Sequence, residues 1–197
     1  HGVFDLAYMR CIPNMIIAAP RNEIELRHMM YTAEQYGKGP ITIRYPRGKG
    51  FIVDWCQPME KLEIGKGECL KNGNNLAVIT IGTTAHNTAK AIEKVEAATG
   101  TNIAHYDIRF LKPLDTELLH EVGAKFKKIV TVEEGVLNGG FGSAVLEFMA
   151  DNQYQASIKR IGIQDAFIEH GTPEELHQLI GLDAESIADT LIGFIEK

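Results

Sequence analysis

The chain has few cysteines, no cluster of positive charge and no long hydrophobic run. Its three cysteines, Cys11, Cys56 and Cys69, are far apart and form no C-x-x-C pair. This spacing argues against a disulfide framework and a zinc knuckle, so we expect a reducing, cytoplasmic setting. No apolar segment approaches the length that crosses a bilayer, and we see no signal peptide, so we expect no membrane partner.

Charge and histidine spacing exclude further classes. The formal net charge is -6, with 20 Lys and Arg against 26 Asp and Glu. Nucleic-acid binding normally needs clustered Lys and Arg to displace phosphate counterions, so we expect no nucleic-acid partner. The seven histidines are scattered and none forms H-E-x-x-H or another ligand spacing, so we predict no metal site.

The order of apolar patterns predicts an α/β fold with a mostly parallel sheet and helices on both faces. Residues 67–70 and 76–81 look like two strands joined by the Asn72-Gly73 turn, a hairpin signal, which makes the first an antiparallel edge strand. Helix starts are predicted at Asp115, at Asp183 and at Thr172, where a proline and a glutamate complete a capping box.

The first fifty residues read as an incomplete domain. Strand 15–19, helix 22–35 and strand 41–43 form a βαβ unit, and one such unit cannot bury both faces of a sheet. We therefore predict the end of a larger α/β domain in residues 1–50, a linker in 51–62 and a second domain in 63–197. The chain starts at His1 without a methionine, in what reads as mid-motif, so we expect a fragment of a longer protein.

A glycine-rich stretch follows an apolar strand predicted at 129–132 and precedes a helix. At such a position the glycines either cradle a phosphate or let strand and helix approach closely, and we favour close packing. The dinucleotide fingerprint is incomplete because its third glycine falls on Val145. Glu133 and Glu134 end the strand and point in opposite directions, so we expect one to be solvated and the other to hold loop amides, rather than an acid and base pair.

Two further polar groups are candidates for function. Arg44 and Arg47 lie at the end of the 41–43 strand, where Pro46 stiffens the turn, and a guanidinium held there can bind a phosphate or carboxylate. A pair of surface arginines fits the spacing equally well. Glu169 and His170 precede the capped helix, and we favour a loop hydrogen bond over a catalytic role for them.

Several stretches together resemble the 1-deoxy-D-xylulose-5-phosphate synthase family, which is thiamine-diphosphate-dependent and transketolase-like. The resemblance covers essentially the whole chain, in order, and matches the carboxy-terminal third of those enzymes. The later motifs are shared with transketolases and with 2-oxoacid dehydrogenase beta subunits. The matching stretches are residues 1–6, 10–15, 43–48, 107–115, 132–135 and 167–171.

The resemblance implies condensation of pyruvate with D-glyceraldehyde 3-phosphate with loss of carbon dioxide, using thiamine diphosphate and magnesium in a homodimer. This reaction begins isoprenoid precursor synthesis and lies on the route to thiamine and pyridoxal. The cofactor supplies the carbanion chemistry. By the same resemblance, residues 1–50 are the end of a pyrimidine-binding domain and residues 63–197 a transketolase C-terminal-type domain.

Site residues follow from the resemblance position by position. Arg47 matches the arginine that binds the aldehyde's phosphate. Gly2 matches the glycine of a threonine-histidine-any-glycine pattern, which puts the active histidine before the chain and leaves His1, at the variable position, as the catalytic candidate. The diphosphate and metal motifs are absent, so we expect the fragment to bind neither cofactor and to be inactive. The alternatives are a 2-oxoacid dehydrogenase beta subunit and a non-catalytic dimerisation domain.

Overall fold

A five-stranded sheet forms the centre of the chain in the computed structural model, which describes residues 2–52 and 54–196. The strand order is β3-β5-β4-β7-β8, with β3 antiparallel to β5 and the other pairs parallel. This confirms the mostly parallel sheet with an antiparallel edge strand. The strands are β3 (Glu68–Lys71), β4 (Leu76–Thr80), β5 (Ile103–Asp107), β7 (Lys128–Val136) and β8 (Ser157–Ile163).

Helices cover both faces of this sheet. Successive side chains along β4 point to opposite faces, and the apolar side chains on each face pack against a different pair of helices. Ala77 and Ile79 pack with apolar residues of α4 and α5, whereas Leu76 and Val78 pack with those of α3 and α7. All four are at most 1% exposed. The helices are α3 (Thr84–Thr99), α4 (Thr116–Lys125), α5 (Phe141–Asp151), α6 (Pro173–Ile180) and α7 (Ala184–Ile195).

The predicted helix starts at Asp115, Thr172 and Asp183 are confirmed. Each side chain accepts a hydrogen bond from a backbone N–H of the first turn, and at Thr172 the capping box is complete. Each cap satisfies donors that a helix start otherwise leaves unpaired. None of the described helices has an apolar stretch long enough to span a membrane.

The N-terminal region forms a second, smaller sheet. Strands β1 and β2 are parallel, and a third strand, β6, pairs antiparallel with β1 although it comes from the second half of the chain. This sheet therefore takes one of its three strands from outside the first fifty residues. Its elements are α1 (Asp5–Met9), β1 (Ile16–Ala18), α2 (Glu23–Tyr36), β2 (Ile41–Ile43) and β6 (Phe110–Lys112).

Two expectations about strands are wrong. The 67–70 and 76–81 strands do not form a hairpin, because β5 lies between them in the sheet and pairs with both. The chain bends at Asn74 and Asn75 rather than at Asn72-Gly73, and a side chain at Gly73 would clash with the backbone at Ile103–Ala104. Strand β7 also extends through Glu133 and Glu134 to Val136, instead of stopping before them.

A partly buried ionic cluster joins the N-terminal region to the five-stranded sheet. Glu25, on α2, accepts hydrogen bonds from Arg21 Nη2 at 3.0 Å and from Arg109 Nε at 2.6 Å. Arg21 also reaches Glu68 Oε2 at 2.5 Å and Asp107 Oδ2 at 3.2 Å. The cluster thus contains residues from both sheets or their flanking loops, so charged contacts connect the two parts in addition to the apolar packing of Ile17 and Ala19. We name these five residues the ionic seam.

The segment between β2 and β3 lies along α2. The backbone N–H of Phe51 donates to Glu23 Oε1 at 2.7 Å, and that of Leu62 donates to Thr32 Oγ1 at 2.8 Å. The described residues of 51–62 form no helix or strand. Side chains of α2 therefore hold an otherwise irregular segment at its two ends.

Candidate functional site

The glycine-rich loop after β7 encloses a carboxylate of the chain itself. Glu133 is 0% exposed, and it accepts hydrogen bonds from the backbone N–H of Phe141 at 2.7 Å and of Gly142 at 2.8 Å. These are the first amides of α5, which would otherwise be free to bind an anion. Glu133 therefore occupies the place where a phosphate cradle would lie, which confirms a glutamate holding loop amides.

The glycines are needed for close packing at this loop. A Cβ on Gly140 would overlap the Glu133 carboxylate, and one on Gly142 would lie 2.6 Å from Thr131 Oγ1. Burial raises the pKa of Glu133, and the two amide hydrogen bonds oppose that increase. The loop is thus shaped by an internal acid rather than by a ligand.

Two arginines bind the carbonyl groups of the same loop. Arg10 Nη1 donates to the carbonyl of Gly139 at 2.8 Å, and Arg160 Nη1 donates to that of Leu137 at 2.7 Å. In addition, the N–H of Val136 donates to the carbonyl of Val3 at 3.0 Å. The start of the described chain is therefore held against the carboxyl end of β7.

Glu134 makes contacts unlike those of its neighbour. Its Oε2 accepts a hydrogen bond from Arg44 Nη1 at 2.9 Å, and its Oε1 lies 3.3 Å from His177 Nε2. The side chains of Glu134 and Arg44 are 21% and 12% exposed. The expectation of a solvated carboxylate is therefore wrong at Glu134, whereas the opposite orientation of the two glutamates is confirmed. We name Arg44, Glu134 and His177 the Glu134 triad.

The electrostatics of the triad favour its charged form. Burial alone would raise the pKa of Glu134, but the His177 hydrogen bond and the Arg44 charge outweigh burial and lower it to about 2. The Glu134 hydrogen bond in turn raises the pKa of His177. The triad therefore holds an ionised carboxylate between the Arg44 guanidinium and the His177 imidazole, one from each sheet region.

Arg47 lies three residues beyond Arg44 and differs from it in exposure and in ion pairing. Its side chain is exposed, and it makes no ion pair with a carboxylate among residues 2–52 and 54–196. Adjacent Gly48 has open space where a side chain would stand. Of the two strand-end arginines, Arg44 is used internally and Arg47 keeps its guanidinium available for a ligand.

The structure does not place the remaining candidate residues, His1, Glu169 and His170, with the Glu134 triad or Arg47. His1 lies outside the described residues. Glu169 and His170 are exposed and make no side-chain hydrogen bond within the part of the chain that the structure describes, so the expected loop hydrogen bond is wrong for them. No group of three His, Cys, Asp or Glu residues among those described is placed to hold a metal ion.

Sequence reasoning missed His177 as a partner of Glu134. The two residues are 43 positions apart, and no local pattern links them. The one signal in the sequence was that polar residues follow the apolar part of β7 and the Arg44 strand, although these strands belong to different sheets. That signal does not indicate that α6 supplies the third side chain of the Glu134 triad, His177.

Comparison with known proteins matches the chain to two transketolase domains. A family model described as "Transketolase, C-terminal domain" matches residues 65–187, and one described as "Transketolase, pyrimidine binding domain" matches residues 1–51. A solved structure described as "Split gene transketolase, inactive beta4 tetramer" is 31% identical with a TM-score of 0.84. It matches over 98% of this chain and 62% of that one.

Curated relatives agree with these matches. The 1-deoxy-D-xylulose-5-phosphate synthase of Phocaeicola vulgatus is 59% identical over 98% of this chain, and that of Bacteroides thetaiotaomicron is 56% identical over 98%. The corresponding synthase of a Geobacillus species is 47% identical over 100% of the chain. This chain spans only 31%, 30% and 31% of the lengths of these three proteins.

Proposed function

The chain belongs to the transketolase family, and from this premise we propose that it is the carboxy-terminal part of a 1-deoxy-D-xylulose-5-phosphate synthase. The complete enzyme would condense pyruvate with D-glyceraldehyde 3-phosphate and release carbon dioxide. Identities of 47% to 59% to synthases of this name support this assignment over a 2-oxoacid dehydrogenase beta subunit. The observation that carries the proposal is that Arg47 makes no ion pair among residues 2–52 and 54–196, beside an internally bound Arg44 at the strand end.

We divide the chain into a pyrimidine-binding remnant (1–50), a linker (51–62) and a C-terminal-type domain (63–197). The family-model matches at 1–51 and 65–187 support these bounds. The small sheet also supports an incomplete first domain, because it needs β6 from outside residues 1–50. We further propose a cytoplasmic homodimer for the complete enzyme, to be checked by light scattering; the split transketolase in the comparison is described as a tetramer.

Neither a thiamine diphosphate site nor a magnesium site is expected from the arrangement of residues 2–52 and 54–196. Glu133 fills the helix start that a diphosphate would use, and the described residues offer no cluster of metal-binding side chains. We propose that the rest of the enzyme binds both cofactors and that the isolated chain is inactive. The split transketolase of the comparison is likewise described as inactive.

Within this enzyme, Arg47 would bind the phosphate of D-glyceraldehyde 3-phosphate. A guanidinium can donate two parallel hydrogen bonds to phosphate oxygens, and such contacts are stronger than neutral ones. Phosphate binding at a distance from the reacting carbon holds the aldehyde in place for the carbon–carbon bond-forming step. His1 remains the catalytic candidate by resemblance, beside the histidine that the family places just upstream.

The Arg47→Ala variant of the complete enzyme tests this role. We expect the KM for D-glyceraldehyde 3-phosphate to rise at least about tenfold, because a charge-assisted phosphate contact contributes roughly 1.5 to 3 kcal/mol. The KM for pyruvate should stay close to that of the wild type. Lys49→Ala is the matched control, since Lys49 is an exposed cation two residues away. A KM for the phosphorylated aldehyde within about threefold of wild type would remove the proposed role.

A further inference from the structure

The turn that carries Arg47 is anchored at its first residue. The backbone N–H of Arg44 donates to the carbonyl of Ala18 at 2.8 Å, which continues the pairing of β2 with β1. The Arg44 side chain then binds Glu134 on β7. Pro46 limits the freedom of the chain between Arg44 and Arg47. The orientation of Arg44 therefore influences where the Arg47 guanidinium lies.

Glu134 is itself held from the opposite side. His177 lies on α6, whose start is fixed by the Thr172 capping box, and its Nε2 is 3.3 Å from Glu134 Oε1. The charged groups that act on His177 are Glu134, Glu174 and Asp183, and those that act on Glu134 are Arg44 and His177. Both carboxylate oxygens of Glu134 are thus directed at partners and do not face a ligand.

We propose that Glu134 is a positioning residue for phosphate recognition: by holding Arg44 from β7, it sets the course of the 44–48 turn and keeps Arg47 where the aldehyde's phosphate binds. His177 supports this role by fixing the second oxygen of Glu134. The inference rests on the proposed function of Arg47. Its physical basis is that a binding group works at full strength only when its neighbours hold it close to the productive geometry.

The test compares two aldehydes in the complete enzyme. Kinetics are measured with D-glyceraldehyde 3-phosphate and with unphosphorylated D-glyceraldehyde for wild type, Glu134→Gln, Arg47→Ala and the double variant. We expect Glu134→Gln to reduce the preference for the phosphorylated aldehyde about tenfold, through its KM rather than through the KM for pyruvate, because only the phosphate contact is misplaced. Glu93→Gln, the same change on the exposed side of α3, is the control and should leave the preference unchanged.

The double variant shows whether Glu134 acts through Arg47. In the Arg47→Ala background, Glu134→Gln should cause no further loss of preference, since no guanidinium is left to misplace. A full additional loss in that background, or an unchanged preference in Glu134→Gln alone, would overturn the positioning role and leave the phosphate role of Arg47 standing. An unchanged preference in Arg47→Ala would instead refute the proposed function and this inference with it.

A second variant keeps the inference testable if Glu134→Gln does not fold. His177→Gln removes only the outer contact of Glu134, at a side chain that is 29% exposed. We expect a smaller loss of preference, about threefold, in the same direction because Arg44 keeps its hydrogen bond to Glu134. A preference equal to that of the wild type in this variant would overturn the inference.

Discussion

The five-stranded sheet and the small N-terminal sheet differ in the size of their own apolar cores. Two large apolar clusters cover the faces of the first, with side chains from β4 in both. The second has a core cluster of four buried residues, Ile16, Ala18, Met29 and Phe110, and Phe110 belongs to β6. Because apolar burial scales with area, the small sheet gains much less stability from its own core.

Apolar packing and charged contacts both tie the N-terminal region to the five-stranded sheet, since Leu6, Ile17 and Ala19 belong to one of the large apolar clusters of that sheet. The ionic seam, the Glu134 triad and Arg10 each tie this region to the five-stranded sheet. Such contacts depend on direction and distance, whereas apolar packing tolerates small changes in geometry. The large sheet therefore has the larger core, whereas the N-terminal region depends on both apolar and charged contacts with that sheet.

The largest predicted effect is a loss of unfolding free energy, and it compares the apolar cores of the two sheets. Ile79→Ala should lower the free energy of unfolding by about 4 kcal/mol, because it leaves a cavity in the fully buried centre of the large sheet. Ile41→Ala, the same change in the partly buried β2, should cost only about 1 kcal/mol. Urea denaturation of the chain measures both. Equal losses would show that the small sheet is as closely packed as the large one.

Removing a charge from the ionic seam should cause a loss of unfolding free energy of intermediate size. Glu25→Gln should cost about 2 kcal/mol, because it leaves the partly buried guanidinium groups of Arg21 and Arg109 without their shared carboxylate. The control is Glu185→Gln, which breaks a pair with Lys94 on the surface and should cost at most about 0.5 kcal/mol. Denaturation midpoints compare the two variants. If both lost the same small amount, charge would not hold the regions together.

Local rules in the sequence predicted much of the large sheet. The caps at Asp115, Thr172 and Asp183 connect residues at most three positions apart, so the pattern contains the whole interaction. The glycines after β7 and the opposite directions of Glu133 and Glu134 also follow from local geometry. These features could be predicted because their causes lie within a few residues.

Interactions between distant residues account for what was missed. The partner of β3 is β5 and not β4, because pairing depends on which strand the fold brings to its edge. Glu134 meets Arg44 across 90 positions, and Arg109 meets Glu25 across 84. Arg44 and Arg47 were equal candidates on local grounds, and the family resemblance singled out Arg47. The structure adds that Arg44 already has a partner in Glu134.

The smallest effect concerns a proton in the ionic seam. The seam contains three carboxylates and two guanidinium groups, and Asp107 is 0% exposed. Burial, together with the charge of Glu25, raises the pKa of Asp107 well above its usual range, although Arg21 and Arg109 oppose the increase. The folded chain therefore retains a proton on Asp107 at pH values where the unfolded chain has lost it.

The sign of the pH dependence follows from this proton. Stability from Asp107 is fully present below its ordinary pKa of 3.8 and is lost as pH rises through the raised value. Asp107→Asn removes this dependence, so its stability relative to wild type should increase with pH, by at most about 1.4 kcal/mol per pH unit. Urea midpoints of both proteins between about pH 5 and pH 8 measure the trend. Ile79→Ala changes no titratable group, so the pH dependence of its urea midpoint should be parallel to that of the wild type. If the pH dependence of Asp107→Asn were also parallel to that of the wild type, Asp107 would be ionised in the seam.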